Sequence, residues 1–302
     1  MARGDEVIVL DDFSSGSARN LDDIRENPKL STVTGSILDR KVIEPLIKES
    51  NGCFHLAAAV GVEKILRDPI GSLKINIHGT ENILDLCTEL EVPVLLASTS
   101  EIYGKNSSGL LNEDSDRILG SPLISRWTYA EAKALDEAYA KALHSIRGLK
   151  VKIIRYFNTV GPRQSSAYGM VIPTFFKAAL ENRPITVHGD GTQQRIFCHV
   201  RDAIAGTILL WDANCGEGEA FNLGGFEEIR ILDLAKRIIS LTNSSSQIEF
   251  VPYSELRARG FEDMSRRLPD SRKLQVATGW SSQSGLDNIL NDYYNFVKEQ
   301  WN

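Results

Sequence analysis

Residues 94–104 read VLLASTSEIYG, a short apolar run that turns polar and ends in Thr99, Ser100 and Glu101. An apolar run with no alternation suits a strand inside a parallel sheet, covered on both faces. Similar runs occur as EVIVLDD (6–12), GCFHLAAA (52–59) and KVKIIRYFN (150–158). The segments between them are longer and carry apolar residues every three or four positions, as in PIGSLKINIHGTENILDLCTEL (69–90). Strands alternating with helices predict an α/β fold, a doubly wound parallel sheet of the Rossmann-like kind. Past residue 160 the alternation loosens. Helices are expected at VIPTFFKAALENR (171–183) and HVRDAIAGTILLWDA (199–213), the latter before EAFNLGG (219–225). The expected division is a dinucleotide-binding domain over 1–163, to which 195–224 returns. A smaller C-terminal substrate-binding domain would take 164–194 and 225–302.

Composition removes several function classes. With 302 residues, 42% hydrophobic and 25% charged, the chain can bury a sizeable core. A net charge of −6 argues against nucleic acid as a partner. No apolar run reaches the roughly 20 residues that span a bilayer, so no membrane partner is expected. The opening MARGDEVIVLDD is charged and then strand-like, unlike a signal peptide. The four cysteines show no paired spacing, which suits free thiols in a reducing cytoplasm.

In doubly wound sheets ligands sit at the carboxyl ends of strands. At the end of EVIVLDD, Asp11 can accept hydrogen bonds from both hydroxyls of an adenosine ribose and would repel a 2′-phosphate, favouring NAD over NADP. The same pair of acids also fits a plain turn. After GCFHL, small residues let a flat cofactor approach the backbone, although they also suit close helix packing. The helix RWTYAEAKALDE (126–137) places Tyr129 and Lys133 four apart on one face. An ammonium beside a phenol stabilises the phenolate and gives a base usable near neutral pH. Thr99, at the preceding strand end, could share the oxygen that Tyr129 deprotonates. Tyr-x-x-x-Lys alone also fits an exposed amphipathic helix; joined to Asp11 and Thr99 it points to hydride chemistry on an alcohol.

These segments, together with NIHGT, STSEIYG, RYFNTVGPR, GDGTQQRIFCHVRD and RRLPD, resemble the nucleotide-sugar epimerases, decarboxylases and dehydratases of the extended short-chain dehydrogenase/reductase superfamily. The resemblance runs over essentially the whole chain. It implies NAD as cofactor, held by Asp11, Ile37, Leu56, Ala57, Ala58, Asn76, Tyr129, Lys133 and Tyr156. It implies catalysis by Thr99, Tyr129 and Lys133, with Ser100 and Glu101 beside them. A nucleotide sugar, UDP-linked, would meet Asn158, Arg163, Val187, His188, Arg195 and Arg267; no metal is implied. Paired arginines suit a diphosphate, because planar guanidinium groups give bidentate charged hydrogen bonds.

Two features depart from the family's pattern. Its adenine-contacting Gly-Asp pair is Gly35-Ser36 here, and the G-x-x-G-x-x-G turn that cradles the NAD pyrophosphate occurs nowhere in the 302 residues. The expectation is therefore weak NAD binding and a sheet lacking a central strand. For the reaction, SRWTYAEAK and RYFNTVGPRQ favour a UDP-sugar 4-epimerase acting through a 4-keto sugar. Thr-Ser-Glu at 99–101 keeps UDP-glucuronate decarboxylase, or a 4,6-dehydratase, as the alternative. A non-catalytic nucleotide-sugar-binding relative is a further one. Relatives that dimerise through helices matching 75–90 and 126–143 suggest a homodimer.

Overall fold

The apolar runs become parallel strands in the computed structural model, which describes residues 1–61, 67–165, 169–257, 262 and 264–301. In chain order they are β1 (Val7–Asp11), β2 (Leu30–Thr34), β3 (Cys53–His55) and β4 (Val94–Thr99). A short β5 (Leu110–Leu111) precedes β6 (Val151–Tyr156), and the sheet's last strand lies far downstream at Ala220–Leu223. The large sheet runs in the order 220–223, β6, β4, β3, with every pairing parallel. β1 and β2 pair with each other in a separate two-stranded sheet, so the expected doubly wound sheet stands in two pieces.

Side chains that alternate along β4 and β6 serve two cores. Val94, Leu96, Val151 and Ile153 point to one face, where helices α1 (Arg40–Lys48), α3 (Thr80–Glu89) and α4 (Thr128–Arg147) cover them. α3 continues from α2 (Pro69–Lys74) through a π-turn at Ile75–Gly79. Leu95 and Ile154 point to the other face, under the helix Val200–Asp212. Leu274 and Trp280, from the C-terminal part of the chain, join that second core. α4 stops at Gly148, whose left-handed φ of 74° lets its N–H reach the His144 carbonyl, 3.1 Å away. Ala220–Leu223 registers in parallel against Ile153–Tyr156 of β6.

The remaining strands are β7 (Thr159–Val160), β8 (Ile185–His188), β9 (Gln194–Ile196), β10 (Cys198–His199), β11 (Ala220–Leu223), β12 (Glu228–Arg230), β13 (Ile248–Val251) and β14 (Arg266–Pro269). β12, β9, β14 and β5 form one small sheet and β13 with β8 another. A third core, including Phe175, Phe176, Val187, Leu234 and Leu290, lies in this C-terminal region. Its β9–β14 pairing faces the carboxyl end of β4, and that juxtaposition makes the site. Residues 166–168 of the GPRQSSAYGM stretch, and 260, 261 and 263 of GFEDMSRRLPD, lie outside the described residues. No helix among the described residues is long and apolar enough to cross a membrane.

Candidate active site

The carboxyl ends of β4 and β6 lie side by side, with Thr99 in register with Tyr156. Thr99 starts a 3-10 turn over Ser100–Tyr103, and its hydroxyl accepts the Glu101 N–H at 3.2 Å. That turn aims the Glu101 side chain at a cavity of about 470 Å³, which Tyr129, Asn158, His188, Arg195 and Arg267 also line. Six residues singled out from sequence thus meet in one place. Thr99, Ser100 and Lys133 are not among the lining residues.

Glu101 is clamped. Arg126 donates to both of its oxygens, at 2.5 and 3.0 Å, and Arg267 to one of them at 3.3 Å. Burial alone would raise this carboxyl, but the charges of Arg126 and Arg267 overcome that and hold it at about 2. Arg267 also donates to Asn158 Oδ1, while Asn158 Nδ2 donates to the Ile196 carbonyl at 2.7 Å. Arg267 on β14 sits in register with Arg195 on β9. Two guanidinium groups on adjacent strands repel each other, so an anion between them would be welcome.

Tyr129 and Lys133 share the inner face of α4, as the spacing predicted, but their electrostatics differ from the expectation. Lys133, 2% exposed, places Nζ 3.2 Å from Asp136 Oδ2, and the expected ammonium-assisted lowering of Tyr129 is not seen. Desolvation, then the charges of Glu101 and Asp136, push the Tyr129 hydroxyl above its ordinary range. Burial is the largest of these causes; Asp136, one turn beyond Lys133, also pairs with its ammonium.

On the cofactor side, Asp11 Oδ1 accepts the Phe13 N–H at 2.7 Å. A Cβ at Gly16 would lie 3.2 Å from Asp11 Oδ2, so glycine keeps that edge of the carboxylate uncrowded. Leu56 and Ala57 are exposed at the end of β3, with Ala58 half-buried. Asn76 sits in the π-turn and is 2% exposed; its amide accepts the Ala59 N–H at 2.7 Å and donates to the Ala59 carbonyl at 3.1 Å. It positions the backbone after β3 and spends its own hydrogen bonds doing so. An acid at the end of β1, small residues after β3, and Tyr129 with Lys133 fit the ribose and nicotinamide ends of NAD.

Several predicted contacts are placed elsewhere. Ile37 and Val187 are buried, 7% and 0% exposed, in two of the cores, so neither side chain is offered to a ligand. Tyr156 turns to the second face and bonds Thr207 Oγ1 at 2.8 Å. Arg163 is exposed and left-handed (φ 70°), donates to the Asn20 carbonyl at 2.8 Å and pairs with Asp23. It lines a second cavity, of about 630 Å³, and does not join Arg195 and Arg267. Sequence reasoning missed Arg126 and Asp136. Asp136 was findable, since it falls seven residues after Tyr129 on the same helix face. Arg126 gave no signal, because it acts across the tertiary fold, on a carboxylate 25 residues away.

A model of the NAD dependent epimerase/dehydratase family matches residues 1–224. UDP-N-acetyl-alpha-D-glucosaminuronate decarboxylase of Bacillus cytotoxicus is 38% identical over 274 residues, covering 90% of this chain and 84% of that protein. UDP-glucuronic acid decarboxylase 1 of Danio rerio is 35% identical over 293 residues, covering 96% of this chain but only 66% of the relative. Among solved structures, UDP-glucuronic acid 4-epimerase from Bacillus cereus, in complex with UDP-glucuronic acid and NAD, superposes with a TM-score of 0.88. It is 26% identical, over 98% of this chain and 91% of that one.

Proposed function

Because this chain belongs to the NAD-dependent epimerase/dehydratase family, we propose that it removes carbon dioxide from a UDP-linked hexuronate. The observation that carries this reading is the Glu101–Arg126–Arg267 cluster beside Tyr129. Two guanidinium groups beside one carboxylate give the cavity wall cationic hydrogen-bond donors of the kind that suit a uronate carboxylate. Higher identity to two decarboxylases than to the uronate 4-epimerase supports carbon dioxide loss over the 4-epimerase reading that the motifs favoured.

Bound NAD would supply hydride removal at C4 of the sugar and the later return of that hydride. Tyr129 would accept the proton of the C4 hydroxyl and give it back. The C5 carboxylate is β to C4, so a carbonyl at C4 would take up the electrons freed when the carbon–carboxylate bond breaks, and the resulting enolate would take a proton from solvent at C5. Glu101, held ionised, acts as a fixed charge that keeps Arg126 and Arg267 in place, and does not shuttle protons. Arg195 and Arg267 would bind the diphosphate.

The test is incubation with NAD and, separately, UDP-glucuronate and UDP-N-acetylglucosaminuronate, with trapping of carbon dioxide and mass analysis of the nucleotide product. One carbon dioxide per sugar is the expected result. Interconversion of 4-epimers without gas release would replace this reading with the epimerase.

A further inference from the structure

Beneath Tyr129 the structure holds a connected set of buried polar groups that the reaction described above does not use. Lys133 is 2% exposed, Asp136 3%, Thr80 1% and His55 3%. Lys133 Nζ lies 3.2 Å from Asp136 Oδ2, and Thr80 Oγ1 approaches the same oxygen at 3.3 Å. Thr80 Oγ1 is also 2.6 Å from the Asn76 carbonyl and 3.0 Å from His55 Nε2. Burying an ammonium and a carboxylate on the inner face of one helix is costly unless they pair closely, and these do. An arrangement so far from solvent, one turn from Tyr129, bears on the chemistry above it.

We propose that Asp136 is a positioning residue for the Tyr129–Lys133 pair: its carboxylate anchors the Lys133 ammonium beneath α4 and sets the pH range in which Tyr129 accepts a proton. The inference rests on Tyr129 being the proton acceptor of the proposed reaction. The titratable groups facing Asp136 are Lys133, Tyr129 and Glu137 on its own helix and, through Thr80, His55 at the end of β3; Glu101 faces Tyr129 from the turn after β4. His55 is held near 3 by burial and then by Lys133, and so contributes no charge at neutral pH. Asp136 is raised to about 6 by burial, against the pull of Lys133 and Thr80. Above that pH its negative charge offsets Lys133 and opposes a phenolate at Tyr129. Below it, Lys133 is left uncompensated and its field favours the phenolate.

The experiment compares the parent with Asp136→Asn and Asp136→Glu by two readouts. The first is tyrosinate absorbance against pH without substrate, each protein referenced to the same protein carrying Tyr129→Phe. The second is kcat/KM against pH. In Asp136→Asn, the Tyr129 midpoint and the acid limb of the profile should both move down by about one pH unit or more, the scale of a nearby charge. Asp136→Glu should bring both back toward the parent. An Asn variant that loses activity by the same factor at every pH, with the tyrosinate midpoint unmoved, would overturn the proposal. Thr80→Val is the control for disturbed packing: it removes one hydrogen bond to Asp136 but leaves the carboxylate, which is ionised where Tyr129 titrates, so the tyrosinate midpoint should stay with the parent's. A Val variant whose midpoint moves down as far as that of the Asn variant would show that packing, not the Asp136 charge, sets it, and would overturn the proposal. Because the tyrosinate titration needs no sugar, a midpoint shift with no action on any uronate would sink the proposed function and leave this inference standing.

Discussion

In the proposed reaction Tyr129 is the residue on which the chemistry turns, and its surroundings are more anionic than the Tyr-x-x-x-Lys spacing suggests. Glu101 and Asp136 oppose its ionisation, and Lys133 is already paired. Tyr129→Phe keeps the ring and removes the proton-accepting hydroxyl. Turnover should fall by at least ~100-fold, the scale of general acid–base catalysis, while UDP-sugar affinity measured by calorimetry is retained. Near-parental turnover would remove Tyr129 from the mechanism. Glu101 makes a second prediction, about pH. Its folded value, about 2, lies below the ordinary 4.5, so its clamp stabilises the fold at neutral pH; that stability fades as pH falls from about 4.5 toward about 2. Thermal melts of Glu101→Gln should therefore approach those of the parent across that window and fall short of them above it. Parallel curves at all pH values would show that the clamp stores no such stability.

At the scale of elements, α4 was the most legible. Its helical period and the face that carries Tyr129 and Lys133 could be read from the order of residues; its stop at Gly148 came from the structure. β4 and β6 were equally plain, because they are buried along most of their length, whereas β2, which alternates toward solvent, was not read. What stayed hidden were pairings between elements. Arg155 reads as one polar interruption in KVKIIRYFN, yet it donates to Glu137 of α4 at 2.6 and 3.0 Å, to the Tyr103 hydroxyl at 2.8 Å and to the Glu113 carbonyl at 2.8 Å. The clamp of Arg126 and Arg267 on Glu101 was unreadable for the same reason: the partners are 25 and 166 residues from it in sequence. The π-turn that presents Asn76 left no mark in the helical pattern either. Arg155–Glu137 ties β6 to α4, so Glu137→Ala should strand a buried guanidinium. Losing one partner of such a pair costs roughly 3–5 kcal/mol, which urea denaturation would detect. Glu137→Leu combined with Arg155→Met should recover most of that loss; if the double variant is as unstable as the single one, the pair is not what joins these elements.

The molecule as a whole divides its parallel sheet between β1–β2 and the four strands ending at β3. β1 has β2 as its one strand neighbour and β3 has β4, among the described residues. All five β1 residues are only half-buried, and Phe54 and Leu56, in and just after β3, are 39% and 59% exposed. Backbone edges and apolar side chains left this way are what a further parallel strand would cover. The same place matters for the cofactor, since Asp11 and Leu56–Ala58 stand at the carboxyl ends of these two strands. A strand followed by a glycine-rich turn, fused ahead of Met1, should therefore act twice: it would pair with free sheet edges, and its turn amides would add donors for the NAD pyrophosphate. The expected outcome is tighter NAD binding by calorimetry together with a higher melting temperature in the absence of NAD. Added NAD at a hundred times its Kd should contribute about 2.7 kcal/mol more. The control is the same extension with its glycines changed to alanine, which should keep the gain in stability and lose the gain in affinity. If residues 1–302 bind NAD stoichiometrically and neither quantity responds to the extension, the two sheet pieces already make a complete cofactor platform, and the open edges carry no functional meaning.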